Sequence, residues 1–124
     1  MPLVDLNIDL GEHPAEPAEL FTIATVVNVA CGGHAGDESS MRAALRAAKA
    51  AGTAITAHPS YADREGFGRH RGEASLEDVR RSVRTQCDEL VSLAGEEGIR
   101  VGAMKPHGAL YHDATSDPAL AEAL

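Results

Sequence analysis

The chain has no tryptophan and only four aromatic residues, Phe21, Phe67, Tyr61 and Tyr111, so its core must be built from alanine, valine, leucine and isoleucine. Its two cysteines, Cys31 and Cys87, are too few for a disulfide framework and fit a reducing, cytoplasmic setting. Cys31 reads as a small buried residue. No apolar run approaches the ~18 residues that a membrane-spanning helix needs, and no basic segment leads into an apolar one near the N-terminus. A membrane span and a secretory signal are therefore not expected. Positive charge is scarce: 11 Lys and Arg stand against 19 Asp and Glu, a net charge of −8. That balance argues against nucleic acid or an acidic membrane surface as a partner. Hydrophobic and charged contents of 44% and 24% are ordinary for a globular protein, and 124 residues fit one domain over 1–124.

Periodicity orders the chain as alternating strands and helices. Leu3–Leu10, Thr25–Ala30, Thr53–Ala57 and Ile99–Met104 read as strands. Pro14–Phe21 has room for a short helix or a loop. Asp37 caps a helix over Glu38–Ala51 that turns Met41, Ala44, Leu45 and Ala48 inward and stops at Gly52. Ser75, with Asp78 three residues on, opens a helix near 75–94. Leu76, Val79, Val83, Cys87, Leu90 and Ala94 form its single apolar stripe, and Gly95 and Gly98 end it. Residues 59–74 form a loop long enough to be functional or disordered, and Asp117-Pro118 starts a last helix. This order predicts an α/β fold with a parallel sheet, the first four strands or so of a (β/α) barrel.

Polar clusters stand where the apolar strands end. In a parallel barrel those ends share one face, so Asp9, Asn28, His34, Asp37, His58, Lys105 and His107 are expected to line one cleft. Asn7 and Asp9 lie on one side of the first strand, where acids are costly unless paired or bound to a cation. Asp9 otherwise caps the following loop. Asn28–Asp37 packs Gly32, Gly33 and Gly36 around Cys31 and His34, and the glycines let backbone approach a ligand. Asp37 serves as a plain helix cap under the blander reading. His58 follows its strand directly, and Lys105 with His107 ends the fourth. A lysine there suits an anionic substrate group; a salt bridge to Asp9 or Asp37 is the alternative.

The clusters match five ordered signatures of a known family. The stretches Asp5–Glu12, Asn28–Asp37, Ala57–Asp63, Gly66–Arg69 and Lys105–Tyr111 resemble D-L-N-x-D-L-G-E, N-x-A-C-G-x-H-A-G-D, A-H-P-x-Y-x-D, G-F-G-R and K-P-H-G-A-L-Y of the LamB/YcsF family of 5-oxoprolinase components. The resemblance implies a β/α barrel of the glycoside hydrolase/deacetylase type. It also implies ATP-dependent ring opening of 5-oxo-L-proline to L-glutamate, performed with two other 5-oxoprolinase subunits. Under it, Asp9, His58, Lys105 and His107 are the catalytic candidates, and Asn7, Asn28, Gly32, His34, Asp37 and Arg69 the substrate-binding ones. No G-x-x-x-x-G-K-[ST] loop is present, so ATP is expected to bind mainly through the partner subunits.

The sequence departs from the family pattern at His13–Pro17, which replaces a glycine- and phenylalanine-containing stretch. It also departs at Gly33, where an aromatic is usual, at Ser60, where glycine is usual, and at His70, where a second arginine is usual. The barrel's second half is absent from these residues. Two other readings follow. One is a metal-dependent deacetylase or amidase with a divalent metal on Asp9, His34 and His58. The other is a non-catalytic remnant. A half-barrel with uncovered edges is also expected to self-associate as a homo-oligomer.

Overall fold

A computed structural model describes residues 3–124. Four strands, β1 (Asn7–Leu10), β2 (Val26–Ala30), β3 (Ala54–His58) and β4 (Val101–Met104), form a parallel sheet in the order β1-β2-β3-β4. Consecutive strands are neighbours throughout, the winding of a barrel segment rather than of a doubly wound sheet. The helices between and after them are α1 (Glu19–Ile23), α2 (Glu38–Ala51), α3 (Leu76–Glu96), α4 (Gly108–Ser116) and α5 (Pro118–Ala123). The expected α/β architecture is present. β1 is shorter than expected, because Leu3, Val4, Asp5 and Leu6 are exposed and lie outside the ladder.

Strand alternation sorts the side chains onto two faces. Ile8, Leu10, Val27, Val29, Ile55 and Ala57 fall on one, against Met41, Leu45 and Ala48 of α2 and Leu90, Leu93 and Ala94 of α3. The opposite face carries Asn7, Asp9, Asn28, Thr56 and His58. In β4, Val101 pairs with Ile55 and Ala103 with Thr56, leaving Gly102 as the extra residue of a bulge. A second apolar cluster of Tyr61, Val79, Val83, Leu110 and Leu120 joins α3, α4 and α5.

Both long helices begin with reciprocal caps, Asp37 with Ser40 and Ser75 with Asp78. α3 continues through Gly95 to Glu96, and Gly98, at φ 68°, ends it. Two positions of α3 differ from the expected stripe. Leu76 is exposed at its first turn, whereas Gln86 is buried because its amide pairs with the Ser60 backbone, accepting from N (3.1 Å) and donating to O (2.9 Å). α4 was not expected at all, since only Leu110 in it is buried and no apolar stripe announces it.

Leu90→Ala should cost about 2–5 kcal/mol through the cavity it leaves, and Ser75→Ala about 0.5–2 kcal/mol through loss of the cap; urea unfolding of each variant against wild type measures both. Asp37 is held below the ordinary carboxylate range, chiefly by the Ser40 amide, and Asp78 chiefly by the Ser75 side chain. The stability that these two carboxylates add is complete above their ordinary value of about 3.9 and is lost as the pH falls through their lower folded values. Asp37→Asn should accordingly flatten part of the acid-side fall in melting temperature.

Candidate functional site

The groups on the polar face of the sheet pair with one another. Asn28 stands opposite Asp9 in the β1–β2 register and donates its amide protons to Asn7 Oδ1 and Asp9 Oδ1, both at 2.9 Å. Lys105 Nζ donates to the same Asp9 oxygen at 3.0 Å. Because β1 and β4 are the two edges of the sheet, this bond spans the concavity. The Asp9 carboxyl is held well below the usual carboxylate range, first by His58 at 3.3 Å and also by Asn28 and Lys105, against the opposing effect of burial. Among the described residues no buried side-chain nitrogen or oxygen lacks a partner.

Three imidazoles and one carboxylate gather beside Asp9. His58, fully buried at the end of β3, has Nδ1 2.7 Å from the Lys105 carbonyl. His107 has Nε2 2.9 Å from the Phe67 carbonyl. A carbonyl oxygen only accepts, so each ring donates there; in the neutral rings His58 Nε2 and His107 Nδ1 carry lone pairs, and a proton on either one makes a hydrogen bond to the other. Those two atoms face each other at 3.1 Å. His34 Nε2 lies 2.7 Å from Glu12 Oε1, and its Nδ1 lies 3.0 Å from the Ser60 hydroxyl. Glu12 Oε1 is also 3.7 Å from His58 Nε2 and 3.6 Å from His107 Nδ1. Burial alone would raise Glu12, but the His34 hydrogen bond and the three imidazoles outweigh it and lower it. Burial, with the charge of His34 next, lowers His107. Glu12, His34, His58 and His107 offer atoms all within 4.8 Å of one another, a cluster able to hold a metal ion.

The loop over residues 59–74 is the roof of this cluster. Phe67 sits at φ 56°, a left-handed conformation that is costly for a bulky residue, and places its carbonyl against His107. Its ring meets His34 and His107 edge-on, with centroids 4.9 and 5.1 Å away. Gly68, at φ 74°, lies so close that a Cβ would stand 2.9 Å from His34 Cβ and 3.0 Å from His107 Cδ2. Gly33 has no room for a Cβ either, since one would collide with the Ser60 hydroxyl and the Gln86 amide. Ser60 and Gly33 therefore constrain each other. Arg64 ties the loop down by donating to the Gly32 and Gly36 carbonyls at 3.1 and 2.8 Å.

A cleft of about 330 Å³ opens onto this arrangement, lined by Asp9, His58, Lys105, Pro106, His107 and Tyr111, among others. A larger groove of about 960 Å³ between α3 and α5 contains none of the strand-end imidazoles. Of the residues singled out by sequence, Asn7, Asp9, Asn28, His34, His58, Lys105 and His107 come together. Gly32 shapes the turn that carries His34. Asp37 caps α2 outside the cluster, and Arg69 is exposed, with its guanidinium 5.9 Å from the Phe67 ring centre. The alternative offered for Lys105, a salt bridge to Asp9, is the geometry observed.

Sequence reasoning passed over Glu12 although it closes the first signature. The signal was its place directly after Gly11, beyond the end of β1. Glu16 holds that turn by accepting from the Gly11 and Glu12 amides at 2.7 and 3.3 Å.

The sequence model of the LamB/YcsF family matches residues 4–124. The crystal structure of the Lactam Utilization Protein from Thermus thermophilus is similar at a TM-score of 0.91 and 39% identity, over 97% of this chain and 51% of that one. The chain thus spans about half the length of that protein. A family match that runs from β1 to α5 and takes in every strand end described above leaves one conclusion: the chain belongs to the LamB/YcsF family.

Proposed function

We propose that this chain contributes the amide-opening cleft of a 5-oxoprolinase, which hydrolyses 5-oxo-L-proline to L-glutamate with ATP and two partner subunits in a cytoplasmic setting. The observation that carries this reading is the lone pair of His58 Nε2, fixed by the Lys105 carbonyl and aimed between Asp9 and His107 at the cleft. The lactam named for the similar Thermus protein and a cleft of about 330 Å³, suited to a small molecule, support the same substrate class.

A five-membered lactam resists water because its amide is resonance-stabilised and its nitrogen is a poor leaving group. ATP, when bound, supplies phosphorylation of the lactam oxygen, which makes the ring carbon a better electrophile. His58 Nε2 accepts a proton from the attacking water and returns it to the ring nitrogen as the C–N bond breaks, leaving a glutamyl phosphate that a second water cleaves to L-glutamate and inorganic phosphate. Asp9, held well below the ordinary carboxylate range, is too weak a base for that step. Its role is to stabilise the His58 imidazolium and to position Lys105, whose ammonium meets the developing oxyanion or the substrate carboxylate. Neutral His107 presents a lone pair and cannot donate to an anion, so Lys105 takes that role alone. A second reading, metal-assisted amide hydrolysis without nucleotide, is favoured by one observation, the Glu12, His34, His58 and His107 cluster.

In the complex reconstituted with its partner subunits, His58→Ala and Lys105→Ala should each lower 5-oxoproline-dependent phosphate release by about 10²–10⁴-fold. Arg46→Ala, which removes only a surface ion pair with Glu97, serves as the control at wild-type rate. Wild-type turnover from the His58 variant would move the proton acceptor elsewhere. Turnover of 5-oxoproline without ATP would select the second reading.

A further inference from the structure

Two ring nitrogens whose lone pairs meet 3.1 Å apart must share a proton or another cation between them. His58 Nε2 and His107 Nδ1 are in that position, because backbone carbonyls take the protons on the far side of both rings. The Glu12 carboxylate closes the third side at 3.7 and 3.6 Å. The three separations, 3.1, 3.6 and 3.7 Å, bracket the edge of a tetrahedron. For metal–ligand bonds of 2.0–2.1 Å that edge is about 3.3 Å. The two rings are nearly perpendicular, at 82°.

His34 is excluded from the ligand set by its own geometry. Its ring is stacked on His107 with centroids 3.7 Å apart and planes within 8°, so an ion in the plane of one ring lies far outside the plane of the other. Its Nε2 stands 2.7 Å from Glu12, the length of a hydrogen bond rather than of a coordination edge. Asp9 Oδ2 lies 3.3 Å from His58 Nε2, but Asp9 is not among the residues whose donor atoms all lie within 4.8 Å of one another, and its Oδ1 accepts from Asn28 and Lys105.

We infer that Glu12, His58 and His107 bind one divalent transition-metal ion of the zinc type, with His34 as the residue that positions Glu12 and a fourth coordination position open to the cleft beside Asp9 and Lys105. Two imidazoles and a carboxylate suit zinc and its neighbours better than magnesium or calcium, which take oxygen ligands. Three protein ligands with one open position distinguish a reactive site from a closed structural one. The backbone carbonyls on His58 and His107 and the His34 bond to Glu12 are the outer contacts that such ligands need to hold their orientation. This deepens the metal-assisted reading, since His58 Nε2 cannot hold an ion and accept a proton at once, and it is tested without substrate or nucleotide, so its failure leaves the nucleotide-dependent reading standing.

The test is titration of zinc into metal-free purified protein by calorimetry, with X-ray absorption on the loaded sample. One equivalent should bind, with a first shell of two imidazoles and additional oxygen. His34→Ala should weaken affinity about 10–100-fold, and His34→Gln, which keeps an N–H for Glu12, should recover most of it. Asp9→Asn should leave the stoichiometry unchanged. No binding by wild type would overturn the site, a first shell of three imidazoles would overturn the assignment of His34, and equal loss in His34→Ala and His34→Gln would overturn its positioning role. Because stoichiometry and shell composition are read on wild type, a variant that fails to fold does not decide the outcome.

Discussion

An imidazole has two nitrogens, and whatever takes the proton from one decides what the other offers. In this chain the main chain makes that decision twice. The Lys105 carbonyl holds the proton on His58 Nδ1, and the Phe67 carbonyl holds the proton on His107 Nε2. Both rings thereby turn their other nitrogen to the same small volume, and the carboxylates of Glu12 and Asp9 stand around it. Every functional reading of the cleft, as a proton acceptor or as a cation site, descends from those two hydrogen bonds.

The fold supports them by separating its two faces. Under α2 and α3 the sheet is apolar and closely packed, which fixes the strands and their register. The opposite face carries amide, carboxylate and imidazole groups that are hydrogen-bonded to one another, so displacing one removes a partner from the next. Asp9 lies on one edge strand and Lys105 directly follows the other, and the two still meet at 3.0 Å. In a flat sheet, strands three places apart are separated by about 14 Å. A curved sheet shortens that span, and the curvature of a barrel segment is thus written into one ion pair.

The loop over residues 59–74 supplies what strands cannot. It carries no helix or strand, yet it places the Phe67 carbonyl, the Gly68 backbone and the Ser60 hydroxyl against the imidazoles. Left-handed backbone at Phe67 is an unfavourable conformation held by its surroundings, the pattern found where a site dictates local geometry. Gln86 braces the loop from α3 by pairing with both backbone groups of Ser60, which is why a polar residue interrupts the apolar stripe of that helix.

Local rules were enough to read much of this from sequence. The alternation of strands and helices, the bounds of α2, the helix caps at Asp37 and Ser75 and the strand-end position of Asp9, Asn28, His58 and Lys105 all depend on neighbours within a few residues, and each was legible. The five signatures carried the family. Other features depend on residues distant in sequence. Glu12 became part of the cluster only when β1, β3 and the segment after β4 were brought together, and Gln86 is polar because of Ser60, 26 residues away. α4 has one buried residue and no periodic stripe, so its existence rests on packing against α3 and α5. The protonated nitrogen of each histidine was beyond the sequence as well. It depends on which carbonyl lies within hydrogen-bond reach of the ring, and for His58 and His107 those carbonyls belong to Lys105 and Phe67, 47 and 40 residues away.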